Sequence, residues 1–60
     1  MISFKKATDL LHRHGFRAVY MNKTHELKAY AYNKNGVVTI ADGAGKFNEN
    51  VIREWIKNNS

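Results

Sequence analysis

The chain has no cysteine, no proline, only five acidic residues and no long apolar run. Without cysteine there is no disulfide, no thiolate metal site and no thiol nucleophile, which fits a reducing compartment. Without proline, punctuation falls to Gly15, Asn35-Gly36 and Gly43-Ala44-Gly45. The opening Met1-Ile2-Ser3-Phe4-Lys5-Lys6 lacks the apolar stretch of a signal peptide, and no later segment is long enough to span a bilayer. The expected location is therefore cytoplasmic, with no membrane partner. The scarcity of acids against ten Lys and Arg leaves a net charge of +5. That excess is uneven. Residues 1–17 hold Lys5, Lys6, Arg13 and Arg17 against Asp9; residues 18–36 hold Lys23, Lys28 and Lys34 against Glu26; the remainder is neutral. A basic half beside a neutral half points to a polyanion, RNA above all.

Sixty residues allow one domain, 1–60, with one modest core. Ala7, Leu10, Leu11 and His14 share a helical stripe, predicting a helix from Ser3 to His14, with Ser3 as N-cap and Gly15 as the left-handed terminator. His14 is expected to be partly buried at the helix end. Three runs rich in Val, Ile, Tyr, Phe and Thr follow, Phe16 to Asn22, Glu26 to Asn33 and Val37 to Ala41, and read as strands. Asn48 caps a last helix whose inner stripe is Val51, Ile52, Trp55 and Ile56, with Phe47 stapled onto Ile52 and Glu49 paired to Arg53. The fold class is α+β, in the order α-β-β-β-α: a three-stranded antiparallel sheet with both helices packed on one face.

Asn35-Gly36 is the strongest hairpin signal, because a type I′ turn needs positive φ at both central residues. That turn sets Lys34 opposite Val37 and places Ala29, Ala31, Val38 and Ile40 on the core face. A continuous core face would then bring Val19 and Met21 inward, with Met21 opposite Leu27 across a three-residue connection, Lys23-Thr24-His25. Tyr20, Tyr30 and Tyr32 would share the open face with Lys28, Ala18 and Val37. There they suit a protein interface, base stacking or a homodimer contact.

Leu10-Leu11-His12-Arg13-His14-Gly15-Phe16, then Lys23-Thr24-His25, then Gly36-Val37-Val38-Thr39-Ile40 resembles the small HicA toxins over about residues 5 to 58. Those have a leucine-rich first helix, Gly-Trp/Phe, a Gly-Ser-His turn and a Gly-hydrophobic-Val-Thr-Val strand. The resemblance implies a double-stranded-RNA-binding-like fold and a metal-independent mRNA endonuclease held inactive by an antitoxin. His25 matches the family's catalytic histidine. The chemistry is reasonable, because RNA carries its own nucleophile and needs mainly a proton acceptor or donor near neutral pH. Lys23 and Lys28 are the nearest candidates to neutralise phosphate, with Thr24 as a donor and Arg17, Lys5, Lys6 and Arg13 extending the RNA-binding surface. No cofactor is implied.

Two other functions fit the same residues. One is a non-enzymatic inhibitor or regulator of a protein, phage-encoded for example, using Tyr20, Tyr30 and Tyr32. The other is an RNA-binding module without cleavage. Ordinary duplex binding fits less well, since Phe47-Asn48-Glu49-Asn50 stands where lysines would bridge phosphates. His12 and His14 lie two apart on a helix and do not face each other, so no shared metal is expected. Gly43-Ala44-Gly45-Lys46 lacks the spacing of a phosphate loop and reads as a connection.

Overall fold

The computed structural model describes Met1–Ser60 and has the expected order: α1 (Phe4–Arg13), β1 (Arg17–Met21), β2 (Glu26–Ala31), β3 (Lys34–Ile40) and α2 (Glu49–Asn58). The strands form one antiparallel sheet in the order β1-β2-β3. Both helices pack on the same face of it. The core is built from Ala7, Leu10 and Leu11 of α1, Ile52 and Ile56 of α2, and Phe16, Leu27, Ala29, Val38 and Phe47 between them. Burial of a side chain such as Leu11, Leu27 or Ile52 contributes about 1.5–3 kcal/mol. No helix is long and apolar enough to cross a membrane.

The helix ends follow from their caps. The Ser3 side chain accepts from the Lys6 amide, and Asn48 accepts from the amides of Asn50 and Val51. Each cap satisfies donors that the first helical turn leaves without intrahelical partners. Gly15 takes φ 85 just after α1, and Glu49 accepts from Arg53 at 2.8 Å along α2. Lys34 donates to the carbonyl of Asn59 at the C-terminal end of α2, where a cation meets the negative end of the helix dipole. Ile2 and Phe47 exchange both backbone hydrogen bonds, fastening the segment before α1 to the segment before α2. His14 is exposed, contrary to expectation, and a ring nitrogen bonds the Leu10 carbonyl at 3.0 Å.

Strand registers depart from expectation in both hairpins. The β2–β3 turn is Tyr32-Asn33, with Ala31 opposite Lys34, and Asn33 alone takes positive φ, at 67. Asn35-Gly36 lies inside β3. Gly36 sits opposite Ala29 and faces the Trp55 indole, which a Cβ there would meet at an ordinary 3.9 Å. Between Gly36 and Ile40 the strand bulges: Lys28 pairs with Val37 and Leu27 with Thr39, leaving Val38 as the extra residue. The insertion reverses the alternation beyond it. Ile40 consequently pairs with Glu26 and is 61% exposed, whereas a place in the core was expected.

In β1 the faces are also reversed. Met21 pairs with Glu26, not Leu27, across the four-residue connection Asn22-Lys23-Thr24-His25. Val19 and Met21 are exposed, while Ala18 and Tyr20 pack against the core. Phe16 decides this parity. It is buried edge-on to Trp55, with ring centroids 5.0 Å apart, and its even-numbered successors Ala18 and Tyr20 must then face inward.

Candidate functional site

The β1–β2 connection carries His25 at its last position, exposed and with φ 58. Such a backbone is uncommon outside Gly, Asn, Asp and His and costs roughly 1–2 kcal/mol. Two contacts hold the residue there. The Ala41 amide donates to the His25 carbonyl at 2.9 Å, and the Tyr20 hydroxyl lies 2.8 Å from His25 Nδ1. Tyr20 is itself held by aromatic neighbours, with Phe4 at 5.9 Å and Phe47, edge-on, at 6.0 Å between ring centroids. A partly buried residue packed against the core thus holds a surface imidazole.

Tyr20 and His25 line a shallow cleft whose opposite wall is Ile40, Ala41, Asp42, Gly43 and Gly45. Asp42 folds this wall upon itself. Its carboxylate accepts from the Lys46 amide at 2.8 Å and the Ala44 amide at 2.9 Å. The Lys46 amide foremost holds the carboxyl below its ordinary value; desolvation opposes it, and the Ala44 amide and the Lys46 and Met1 ammonium groups add smaller lowering contributions. The cleft therefore offers an imidazole on one side and an ionised carboxylate on the other. No three His, Cys, Asp or Glu side chains converge as a metal-binding group.

The remaining expected site residues are spread over two ends of the molecule. Lys23 and Thr24 share the His25 connection, but the Thr24 hydroxyl donates to Glu26 at 2.6 Å and is already engaged. Lys28 projects from the open face of β2, opposite Val19 and Val37. Lys5 and Lys6 belong to the first turn of α1, and Lys6 lines a separate cleft with Ile2, Asp9, Arg13, Glu49 and Arg53. Arg13 ends α1, and Arg17 begins β1 opposite Tyr30. Four steps of about 3.3 Å along β1 put Arg17 about 13 Å from Met21, where the His25 connection starts.

The expected tyrosine face does not exist. Tyr20 is on the helix-covered side, Tyr32 is 92% exposed in the β2–β3 turn, and only Tyr30 lies on the open face. That face instead presents Val19, Met21, Tyr30, Val37 and Ile40 around Lys28. Sequence reasoning missed Tyr20 as the partner of His25, although counting alternately from Phe16 would have turned its ring inward. No family model, no curated protein and no solved structure matches this chain.

Proposed function

We propose that this chain acts on RNA in the manner of the HicA toxins, with His25 as the proton-transfer group for cleavage of mRNA. The carrying observation is the exposed imidazole kept in a left-handed backbone and bonded to an anchored tyrosine. His, Asn and Asp adopt this backbone more often than other side chains, and of these only histidine carries an acid–base group near neutral pH. In the proposed reaction the RNA 2′-oxygen bonds phosphorus, the bond from phosphorus to the 5′-oxygen breaks, and His25 accepts the 2′-hydroxyl proton. Lys23 shares the connection with His25 and is the cation assigned to the phosphate, with Lys28 extending the attraction from the open face and Lys5 adding to it. Lys6 and Arg13, which line a separate cleft, and Arg17, at the start of β1, would meet RNA only beyond the cleavage point. An mRNA substrate places this action in the cytoplasm, and an antitoxin partner follows from the same reading.

The test is incubation of a defined mRNA with purified protein in excess chelator. Wild type is expected to cut it, and His25→Ala to leave it intact while keeping the circular dichroism of the fold. Uncut RNA with wild type would reject cleavage. Retention of RNA whose affinity falls steeply with salt, without cutting, would select a binding module.

The open sheet face supports a second reading, a protein-binding inhibitor or regulator. Five partly exposed apolar side chains around one lysine make a patch that a lone domain seldom leaves uncovered. Two copies at +5 each repel, so an acidic protein suits this face better than a homodimer. Val37→Ser, which removes apolar surface without adding charge opposite Lys28, should weaken capture of such a partner and leave RNA cleavage unchanged.

A further inference from the structure

His25 has two ring nitrogens, and the structure treats them differently. Nδ1 faces the Tyr20 hydroxyl at 2.8 Å, whereas no hydrogen bond occupies Nε2. The Tyr20 ring cannot readily follow the imidazole if it turns, because Phe4 and Phe47 pack against it from the core side. The histidine backbone is tied independently through its carbonyl to Ala41. Main chain and ring are therefore restrained at separate points.

We propose, building on the RNA-cleavage reading above, that Tyr20 is a positioning residue that makes Nε2 the reactive nitrogen of His25. A phenol hydroxyl can accept from Nδ1–H or donate to a bare Nδ1. In the reactive neutral form, Nδ1–H donates to the Tyr20 oxygen and the lone pair stands on Nε2. After Nε2 takes the 2′-hydroxyl proton, Nδ1–H remains bonded to the same oxygen, so the ring need not turn during transfer. The departing 5′-oxygen takes its proton from water, which balances the step. The same logic of an orienting partner behind an imidazole operates where a carboxylate plays that role. A neutral phenol does it without adding charge beside an approaching phosphate.

The nitrogen preference can be read without RNA. Folded wild type treated with bromoacetate should give the Nε2-carboxymethyl derivative at His25, identified after peptide mapping and hydrolysis. Tyr20→Phe, which keeps the ring in its aromatic slot, should yield both Nδ1 and Nε2 derivatives. His12, exposed on α1, serves as an internal control and should give both in either protein. A mixture at His25 in wild type would overturn the positioning role, whatever RNA does. If Tyr20→Phe failed to fold, the wild-type product alone would still decide. In cleavage, Tyr20→Phe should lower kcat about tenfold, a size consistent with one hydrogen bond, with KM little changed. Nε2 selectivity without any cleavage by wild type would reject the nuclease reading and leave the restrained imidazole. Unchanged kcat in Tyr20→Phe would remove Tyr20 from the reaction.

Discussion

The two hairpins share β2 yet close in different ways. The β2–β3 hairpin turns through two residues, with Asn33 at φ 67, a residue type that tolerates this backbone. The β1–β2 hairpin turns through four, with His25 at φ 58, a residue type that also visits this backbone more than most. The first turn can be explained by local preference alone. The second has in addition a bond from Tyr20 of β1 and one from Ala41, which follows β3 and lies outside the hairpin. A strained residue held by tertiary contacts is where function is expected to reside.

Substitutions can break that contrast, beginning with the strand both hairpins use. Leu27→Ala should cost about 2–5 kcal/mol, most of the roughly 3–9 kcal/mol available to a domain this small. Ile40→Ala, on the open face, should stay within about 0.5 kcal/mol. Urea midpoints for the pair test the bulge directly, since a core Ile40 would make the two losses similar. Next comes the strain at His25. In a Tyr20→Phe background, His25→Gly should raise stability by about 1 kcal/mol, because the left-handed cost vanishes and no hydrogen bond is lost. In wild type the gain should be offset by the lost Tyr20 bond, worth about 0.5–1.5 kcal/mol. Equal effects in both backgrounds would mean that the Tyr20 contact contributes nothing.

Smaller effects distinguish the two turn positions. Asn33→Ala should lose about 1 kcal/mol, since alanine resists positive φ. Gly36→Ala should gain about 0.4–1 kcal/mol, because its new Cβ would meet the Trp55 indole at 3.9 Å, an ordinary contact. The opposite pair of signs would put the turn back at Asn35-Gly36. The smallest effect concerns Asp42→Asn, which keeps an acceptor for the loop amides and removes the charge. The folded carboxyl titrates below its ordinary value of 3.8, so its stabilising contribution is present above that pH and disappears as acidification passes through the folded value. The difference between wild type and Asp42→Asn should therefore close only below pH 3.8.

Much of the fold is legible along the chain, because it rests on local signals. The helix stripes, the Ser3 and Asn48 caps, Gly15 and the number of strands all depend on neighbours within a few residues. Register does not. Gly36 resembles a turn residue, yet it lies inside β3 and faces Trp55, nineteen positions later. Val19 and Met21 have the composition of core residues, yet Phe16 against Trp55 sets the parity of β1. The position of His25 at the end of its connection was legible, because it depends only on where β2 begins. Its partner was not, because finding Tyr20 required the right face of β1. The same error created the supposed tyrosine surface and concealed the apolar one around Lys28.

The bulge at Val38 has a consequence for solubility. The strand order leaves β3 with an unpaired edge, and a straight edge offers another chain a row of amides and carbonyls to extend the sheet. An extra residue interrupts that row and bends the strand at its middle, so a neighbouring molecule cannot zip along its full length. Deleting Val38 would straighten the ladder as well as remove a core side chain. The irregularity that sends Ile40 outward thus also blunts one of the two sheet edges of a small, sticky-faced chain, leaving β1 as the straight one.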